Sequence, residues 1–233
     1  DELEGTFSRI VLAVKAQHTA QATAALAPHL AADGFVLSAQ NGLNETAIAR
    51  QIGAERTMGC FVNFSADWHA PGEVMFGSRG AVVVGELDGV TRTRTREMFE
   101  TLALFEPDAV LTENIWGYLW GKLAYGAMLF ATALNTDSMT ENFDDPERFP
   151  VWRKIGAEVM AATIANGIDP VGFNGYEPTC FLAEASEEGA RRSVVQLADF
   201  NRQFAQTHSG IWRDLAGRKR TTEGAKQIAI IAE

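Results

Sequence analysis

Ile10-Val11-Leu12-Ala13-Val14-Lys15 is the stretch that decides the fold. An unbroken apolar run this short is what a strand buried on both faces of a parallel sheet presents, whereas a half-exposed strand alternates. Residues 17–32 follow, with Ala22, Leu26 and Leu30 at helical spacing. Pro28 falls inside that run and predicts a kink or a late start, and Asp33-Gly34 predicts a stop. Phe35-Val36-Leu37-Ser38 reads as a second strand and Asn41-Gly42 as a turn. Asn44 reads as the N-cap of a helix to about Gln51, and residues 57–63 as a third strand. Alternating β and α elements predict a doubly wound α/β sheet.

Downstream the pattern changes. Glu73 to Phe76 and Ala81 to Val84 flank Gly77-Ser78-Arg79-Gly80, which predicts a hairpin. Residues 91–105 look helical, and Glu106-Pro107-Asp108 breaks the chain. A boundary there divides the sequence into an α/β part, residues 1–111, and an all-α part, residues 112–233. The second part opens with a long apolar helix, residues 115–134. Helices over 152–166, 188–207 and from Thr222 onward follow, separated by Asp144-Asp145-Pro146, Pro150 and the loop Gly167-Ile168-Asp169-Pro170.

Composition narrows the function. The 233 residues are 46% hydrophobic and 21% charged, with a formal charge of −10. Such a chain has ample material for a core, and its bulk charge disfavours nucleic acid and anionic membranes as partners. Cys60 and Cys180 make no disulfide framework, and no secretion signal is visible, which points to a reducing cytoplasm. His18, His29, His69 and His208 have no metal-ligand spacing, and HExxH, GxSxG, Walker and GxGxxG motifs are all absent.

Candidate residues emerge at strand ends and on the apolar helix. Lys15 ends the first strand, where open α/β sheets bind ligands; it reads either as a phosphate or carboxylate partner or as a solvated lysine. Asn41 follows the second strand on the same rim, either to orient a carboxamide or hydroxyl or as an ordinary Asn-Gly turn. Lys122 sits among Trp116, Leu119, Trp120, Leu123, Tyr125 and Met128. A cation there either snorkels to solvent or is kept as a proton donor. Ser209, Arg213, Asp214, Arg218, Lys219, Arg220 and Glu223 form a dense polar stretch, either charge-paired and solvated or holding Glu223 for a lysine or a ribose; Thr221 or Thr222 is a candidate cap for the last helix.

Five motifs in register resemble one family. Val11-Leu12-Ala13-Val14-Lys15-Ala16, Gln40-Asn41-Gly42-Leu43, Trp120-Gly121-Lys122-Leu123, Ser209-Gly210-Ile211-Trp212-Arg213-Asp214-Leu215 and Arg220-Thr221-Thr222-Glu223 look like the ketopantoate reductase (2-dehydropantoate 2-reductase) family of pantothenate biosynthesis. The resemblance implies an oxidoreductase with an N-terminal Rossmann domain binding NADPH and a helical C-terminal domain of the 6-phosphogluconate dehydrogenase type. Residues 1–111 would then be the later part of the dinucleotide-binding domain, and 112–233 the substrate and catalytic domain. It implies reduction of a 2-oxo acid to the 2-hydroxy acid, with Lys122 as general acid and substrate contact. Asn41 would lie against both nicotinamide and substrate, Lys15 and Glu223 near the cofactor, and Ser209 on the substrate carboxylate. No metal is implied, and the resemblance is compatible with a homodimer.

Two departures accompany it. The family helix carries Asn four residues after its lysine and another beyond; here Gly126 stands at the first place and apolar sequence near Phe130 at the second. A reductase for a different oxo acid is therefore an alternative. The chain also begins after the usual strand and GxGxxG loop and stops early in its last helix, so it reads as part of a longer protein. A non-catalytic relic without a working cofactor site is the other alternative.

Overall fold

The structure is a computed structural model and describes residues 3–204 and 206–232. The chain forms two compact units, Asp1–Asn63 with Ala81–Leu119, and Phe64–Gly80 with Trp120–Glu233.

The first unit is built on a five-stranded sheet. In spatial order its strands are β1 (Phe7–Leu12), β2 (Leu30–Ser38), β3 (Thr57–Val62), β6 (Val82–Glu86) and β7 (Val110–Leu111). Strands β1 to β3 run parallel, as expected, but β1 is the edge strand and ends at Leu12 with Val11 exposed, so the expected burial on both faces does not hold; β6 pairs antiparallel with β3 and parallel with β7, so the sheet is mixed. Leu12, Leu26, Leu30, Val36, Ile48 and Ile52 form a buried cluster that joins the strands to α1 (Thr19–Leu26) and α2 (Asn44–Ile52). The third helix, α3 (Thr93–Phe105), is tied to the sheet through Glu86, which is almost fully buried. Arg94 donates to both Glu86 carboxylate oxygens, at 2.8 and 2.5 Å, and the Thr95 hydroxyl adds a 2.7 Å bond. A buried carboxylate needs that much compensation, because its desolvation otherwise costs several kcal/mol, on the order of the pair's whole attraction.

Several expected boundaries move. The helix expected to reach Ala32 ends at Leu26, and Ala27–His29, containing Pro28, makes a single 3-10 turn. Proline lacks the N–H that a continuing helix needs. Asp33-Gly34 therefore lies inside β2 rather than after a helix. The pairing with β1 jumps from Phe7↔Leu30 to Arg9↔Phe35, so residues 31–34 bulge out of the ladder. Arg56 donates to the freed carbonyls of Gly34 and Ala31, at 3.0 and 2.5 Å. The hairpin also lies elsewhere: β4 (Ser65–Ala70) pairs with β5 (Glu73–Ser78) around Pro71-Gly72, where Gly72 has φ 77°, and residues 82–86 pair with β3 instead. Proline followed by a left-handed glycine makes a tighter reversal than Gly77-Ser78-Arg79-Gly80.

The second unit is helical apart from that hairpin and an isolated bridge between Phe173 and Tyr176. Its long α4 (Ile115–Thr132) begins within the first unit. There follow α5 (Met139–Asp144), α6 (Phe149–Ala165), α7 (Glu187–Arg202), α8 (Gly210–Trp212) with a π turn over Arg213–Gly217, and α9 (Gly224–Ala232). The short α5 was not expected; Ser138 and Glu141 form a capping box that starts it. Pro150 stands in the first turn of α6, where its missing N–H costs nothing. An α/β part with a predominantly helical later part is the expected fold class. Among the described residues, no helix is long and apolar enough to cross a membrane.

Candidate active site

Parallel pairing places the carboxyl ends of β1 and β2 side by side: Leu12 faces Ser38, and Ala39 N donates to Leu12 O at 2.9 Å. Lys15 follows the first of these ends and Asn41 the second, so both stand on one rim of the sheet. Lys15 is half-buried and Asn41 exposed. A relay of hydrogen bonds joins the two loops. Gln40 Nε2 donates to Val14 O at 2.6 Å and to Thr19 Oγ1 at 2.8 Å. The Thr19 hydroxyl donates to Asn44 Oδ1 at 3.0 Å, and Asn44 Nδ2 donates to Asn41 O at 2.7 Å. Asn44 is thus the first residue of α2, with Leu43 as N-cap, and not the cap expected. Its amide holds the rim loop instead, and Gly42, at φ 93°, supplies the turn.

Directly behind this relay lies Glu45. It is fully buried, and neither carboxyl oxygen makes a hydrogen bond of normal geometry. Burial pushes its pKa up to about 8, and backbone and Ser38 contributions pull it back only in part. The carboxyl is therefore largely protonated at neutral pH.

The second unit carries Lys122, Ser209 and Glu223. Lys122 is the one charged residue in the α4 sequence. Leu123, Ala124, Tyr125, Ala127 and Met128 around it are buried, while Lys122, Gly126 and Phe130 are half-buried. Four-residue spacing puts these three on one helix face. The preceding Gly121 packs its backbone tightly; a Cβ there would lie 2.5 Å from Val171 O. On another side of α4, the Tyr125 hydroxyl donates to Asn201 Oδ1 at 3.3 Å. These contacts fix the helix rotation and so the direction in which the Lys122 stem leaves it.

Phe130 links that face to α9. A Cβ placed on Gly224 would sit 3.0 Å from Phe130 Cε1, so the ring rests against the residue next to Glu223. Glu223 Oε2 accepts from Gln227 Nε2 at 3.0 Å, and Thr222 Oγ1 accepts from Gly224 N at 3.3 Å; since α9 starts at Gly224, the cap position falls on Glu223 and not on the threonine expected. Ser209 is buried and caps α8, its hydroxyl accepting from Trp212 N at 3.2 Å.

The basic stretch is charge-paired. Arg213 and Arg218 each reach Asp67 of β4 at 2.7 Å, and Arg218 and Arg220 bond to the buried Asp214 at 3.2 and 2.7 Å. Burial works to raise the Asp67 carboxyl, but the bond from Arg218 and the charges of Arg213 and Arg218 outweigh it and hold the group below the ordinary range. Sequence reasoning missed Asp67, Thr19 and Glu45, none of which lies in a motif. Asp67 was legible only as an acid in a polar loop, and Glu45 only as an ordinary first-turn glutamate. Among the described residues, no group of His, Cys, Asp and Glu is placed to hold a metal ion.

A mixed α/β sheet followed by a helical part is a layout that two-part dehydrogenases and reductases share with proteins of other functions. Residues 1–89 match the family model described as ketopantoate reductase PanE/ApbA, which bears out the resemblance to that family. No curated relative matches the chain in sequence. Solved structures share the fold. A 2-dehydropantoate 2-reductase from Geobacter metallireducens GS-15 superposes with a TM-score of 0.78 at 20% identity, over 98% of this chain and 72% of that one. D-mandelate dehydrogenase in complex with NADH and anilino(oxo)acetate superposes with a TM-score of 0.81 at 18% identity, over 99% and 70%. A dimeric ketopantoate reductase from Staphylococcus aureus gives 0.72 at 16%, over 99% and 70%.

Proposed function

We propose that this protein is a nicotinamide-dependent 2-oxo acid reductase, using NADPH and acting on 2-dehydropantoate or a related acid. One observation carries the reading: the single charge of α4 shares its helix face with Phe130, and Phe130 rests against the residue next to Glu223. The motif lysine and the motif glutamate belong to the same unit, with Phe130 about two turns of α4 beyond Lys122, which supports the reading. On the sheet rim, an ammonium and a carboxamide at adjacent strand ends, joined by the Gln40–Thr19–Asn44 relay, suit the phosphate and amide groups of a dinucleotide.

When bound, the dinucleotide supplies a hydride to the ketone carbon. The chain's own part is electrostatic and acid–base. The Lys122 ammonium stabilises the charge that develops on the ketone oxygen and gives that oxygen a proton, leaving a neutral amine. Glu223 orients or recharges the lysine, Ser209 lies toward the substrate carboxylate, and Asn41 and Lys15 hold the cofactor. D-Mandelate dehydrogenase, seen with anilino(oxo)acetate, supports a 2-oxo acid other than ketopantoate as the alternative. A dimer is proposed by analogy with the S. aureus enzyme, and a reducing cytoplasm is proposed from the two free cysteines.

The test is NADPH oxidation by the full-length protein. Absorbance of the reduced cofactor is expected to fall on adding a 2-oxo acid and to stay constant with a 2-hydroxy acid. No loss with any 2-oxo acid would support the non-catalytic reading instead.

A further inference from the structure

We infer that Asp67, on the β4–β5 hairpin, is a positioning residue for the substrate: through Arg213 it fixes the turn that carries Ser209. The inference rests on the reductase reading, in which Ser209 lies toward the substrate carboxylate. Asp67 uses both of its carboxylate oxygens. Oδ2 accepts from Arg213 Nη1 and Oδ1 from Arg218 Nη2, each at 2.7 Å. These arginines mark the two ends of one turn. Arg213 opens the π turn, Arg218 follows its last residue, and Arg218 N donates to Arg213 O at 2.8 Å. Ser65, two residues before Asp67 on the same strand, bonds to Gln206. The hairpin thus holds residues 206–218 at both ends, and hairpin and turn belong to one unit.

Ser209 lies inside the held span. Arg213 N donates to Ser209 O at 3.1 Å, and the Arg213 guanidinium lies over Gly210, with Nη2 3.8 Å from where a Cβ would stand. Ser209 is buried and its hydroxyl accepts from Trp212 N, so the turn sets its place. Asp214 braces the same turn from within: it is 2% exposed and pairs with Arg218 and Arg220 at 3.2 and 2.7 Å. Isolated surface ion pairs contribute little, because two long side chains must be ordered for one weak attraction. Here one carboxylate, itself 16% exposed, orders two guanidiniums at once. Without its charge, Arg213 and Arg218 would face each other across the gap, and like charges left so close drive the turn apart.

The experiment compares full-length wild type, Asp67→Asn, Asp67→Glu and Arg213→Lys, with melting curves to establish folding. Each is assayed for kcat and for KM with NADPH, 2-dehydropantoate and phenylglyoxylate. Asp67→Asn is expected to raise KM for the oxo acid by about tenfold to a hundredfold, the usual consequence of a displaced binding group. Its kcat should stay within roughly threefold, since contact with the non-reacting carboxylate is made equally in ground and transition states. KM for NADPH should not move, because the turn is remote in sequence and unit from the rim. Asp67→Glu keeps the charge and should recover most of the loss. Arg213→Lys reads the same link from the other side and should raise the same KM by a smaller factor. An unchanged KM for the oxo acid in both Asp67→Asn and Arg213→Lys, a matching rise in KM for NADPH, or an Asp67→Glu no better than Asp67→Asn would each overturn the inference and leave the reductase reading standing. A wild type that oxidises NADPH with no 2-oxo acid would overturn both.

Discussion

Lys122→Ala is expected to lower kcat for 2-oxo acid reduction by about 10²- to 10⁴-fold, the usual contribution of a positioned general acid. In the proposed mechanism the residue supplies both a positive charge and a proton, and alanine supplies neither. The larger part of the loss should fall on kcat rather than KM, because the interaction strengthens as charge builds on the oxygen. Lys122→Arg provides the finer test. Guanidinium keeps the charge but gives up its proton only above about pH 12, so it should recover binding without recovering turnover. Steady-state kinetics on both variants check this, and wild-type kcat in Lys122→Ala would remove the lysine from the chemistry.

The second large effect concerns stability. Glu45 is fully buried with its carboxyl pushed from an ordinary 4.5 to about 8. Between those values the folded chain holds a proton that the unfolded chain has released. Stability therefore falls as pH rises through this window, at up to about 1.4 kcal/mol per pH unit. Below it both states are protonated and the contribution is at its maximum; above it both are ionised and the dependence ends. Glu45→Gln removes the ionisation. The variant should lie within about 1 kcal/mol of wild type at pH 5 and be the more stable protein at pH 8. Urea midpoints at the two pH values measure this, and parallel profiles for the two proteins would show that Glu45 does not titrate in this range.

Much of this was legible in the sequence, and the failures have physical causes. The apolar run at residues 10–14 announced a parallel strand, but not its burial on both faces: β1 spans Phe7–Leu12 at the sheet edge with Val11 58% exposed, because an edge strand lacks the second neighbour that would cover it. The mixed sheet was not legible. Val82, Val83 and Val84 read the same whether they pair with a hairpin partner or antiparallel with β3, and only tertiary contacts decide. The bulge at residues 31–34 was also invisible, since Asp33-Gly34 looks like a helix stop until Arg56 is seen to satisfy its carbonyls. Of the candidate site, the motif residues could be found by spacing, but their support could not. Gln40 and Asn44 look like turn and cap residues, and Thr19 like a helix start, until one relay is seen to run through all three. Asp67 lies 146 residues from Arg213, with no local signal for the pair.

The central claim is that the amine of Lys122 meets the reacting oxygen. A crystal structure of the full-length protein with NADPH and oxamate, an unreactive mimic of a 2-oxo acid, tests it most directly through the distance from Lys122 Nζ to the oxamate amide-carbonyl oxygen. The account predicts hydrogen-bond contact, about 2.6–3.2 Å. An amine turned to bulk solvent, with oxamate held by other groups, would contradict it.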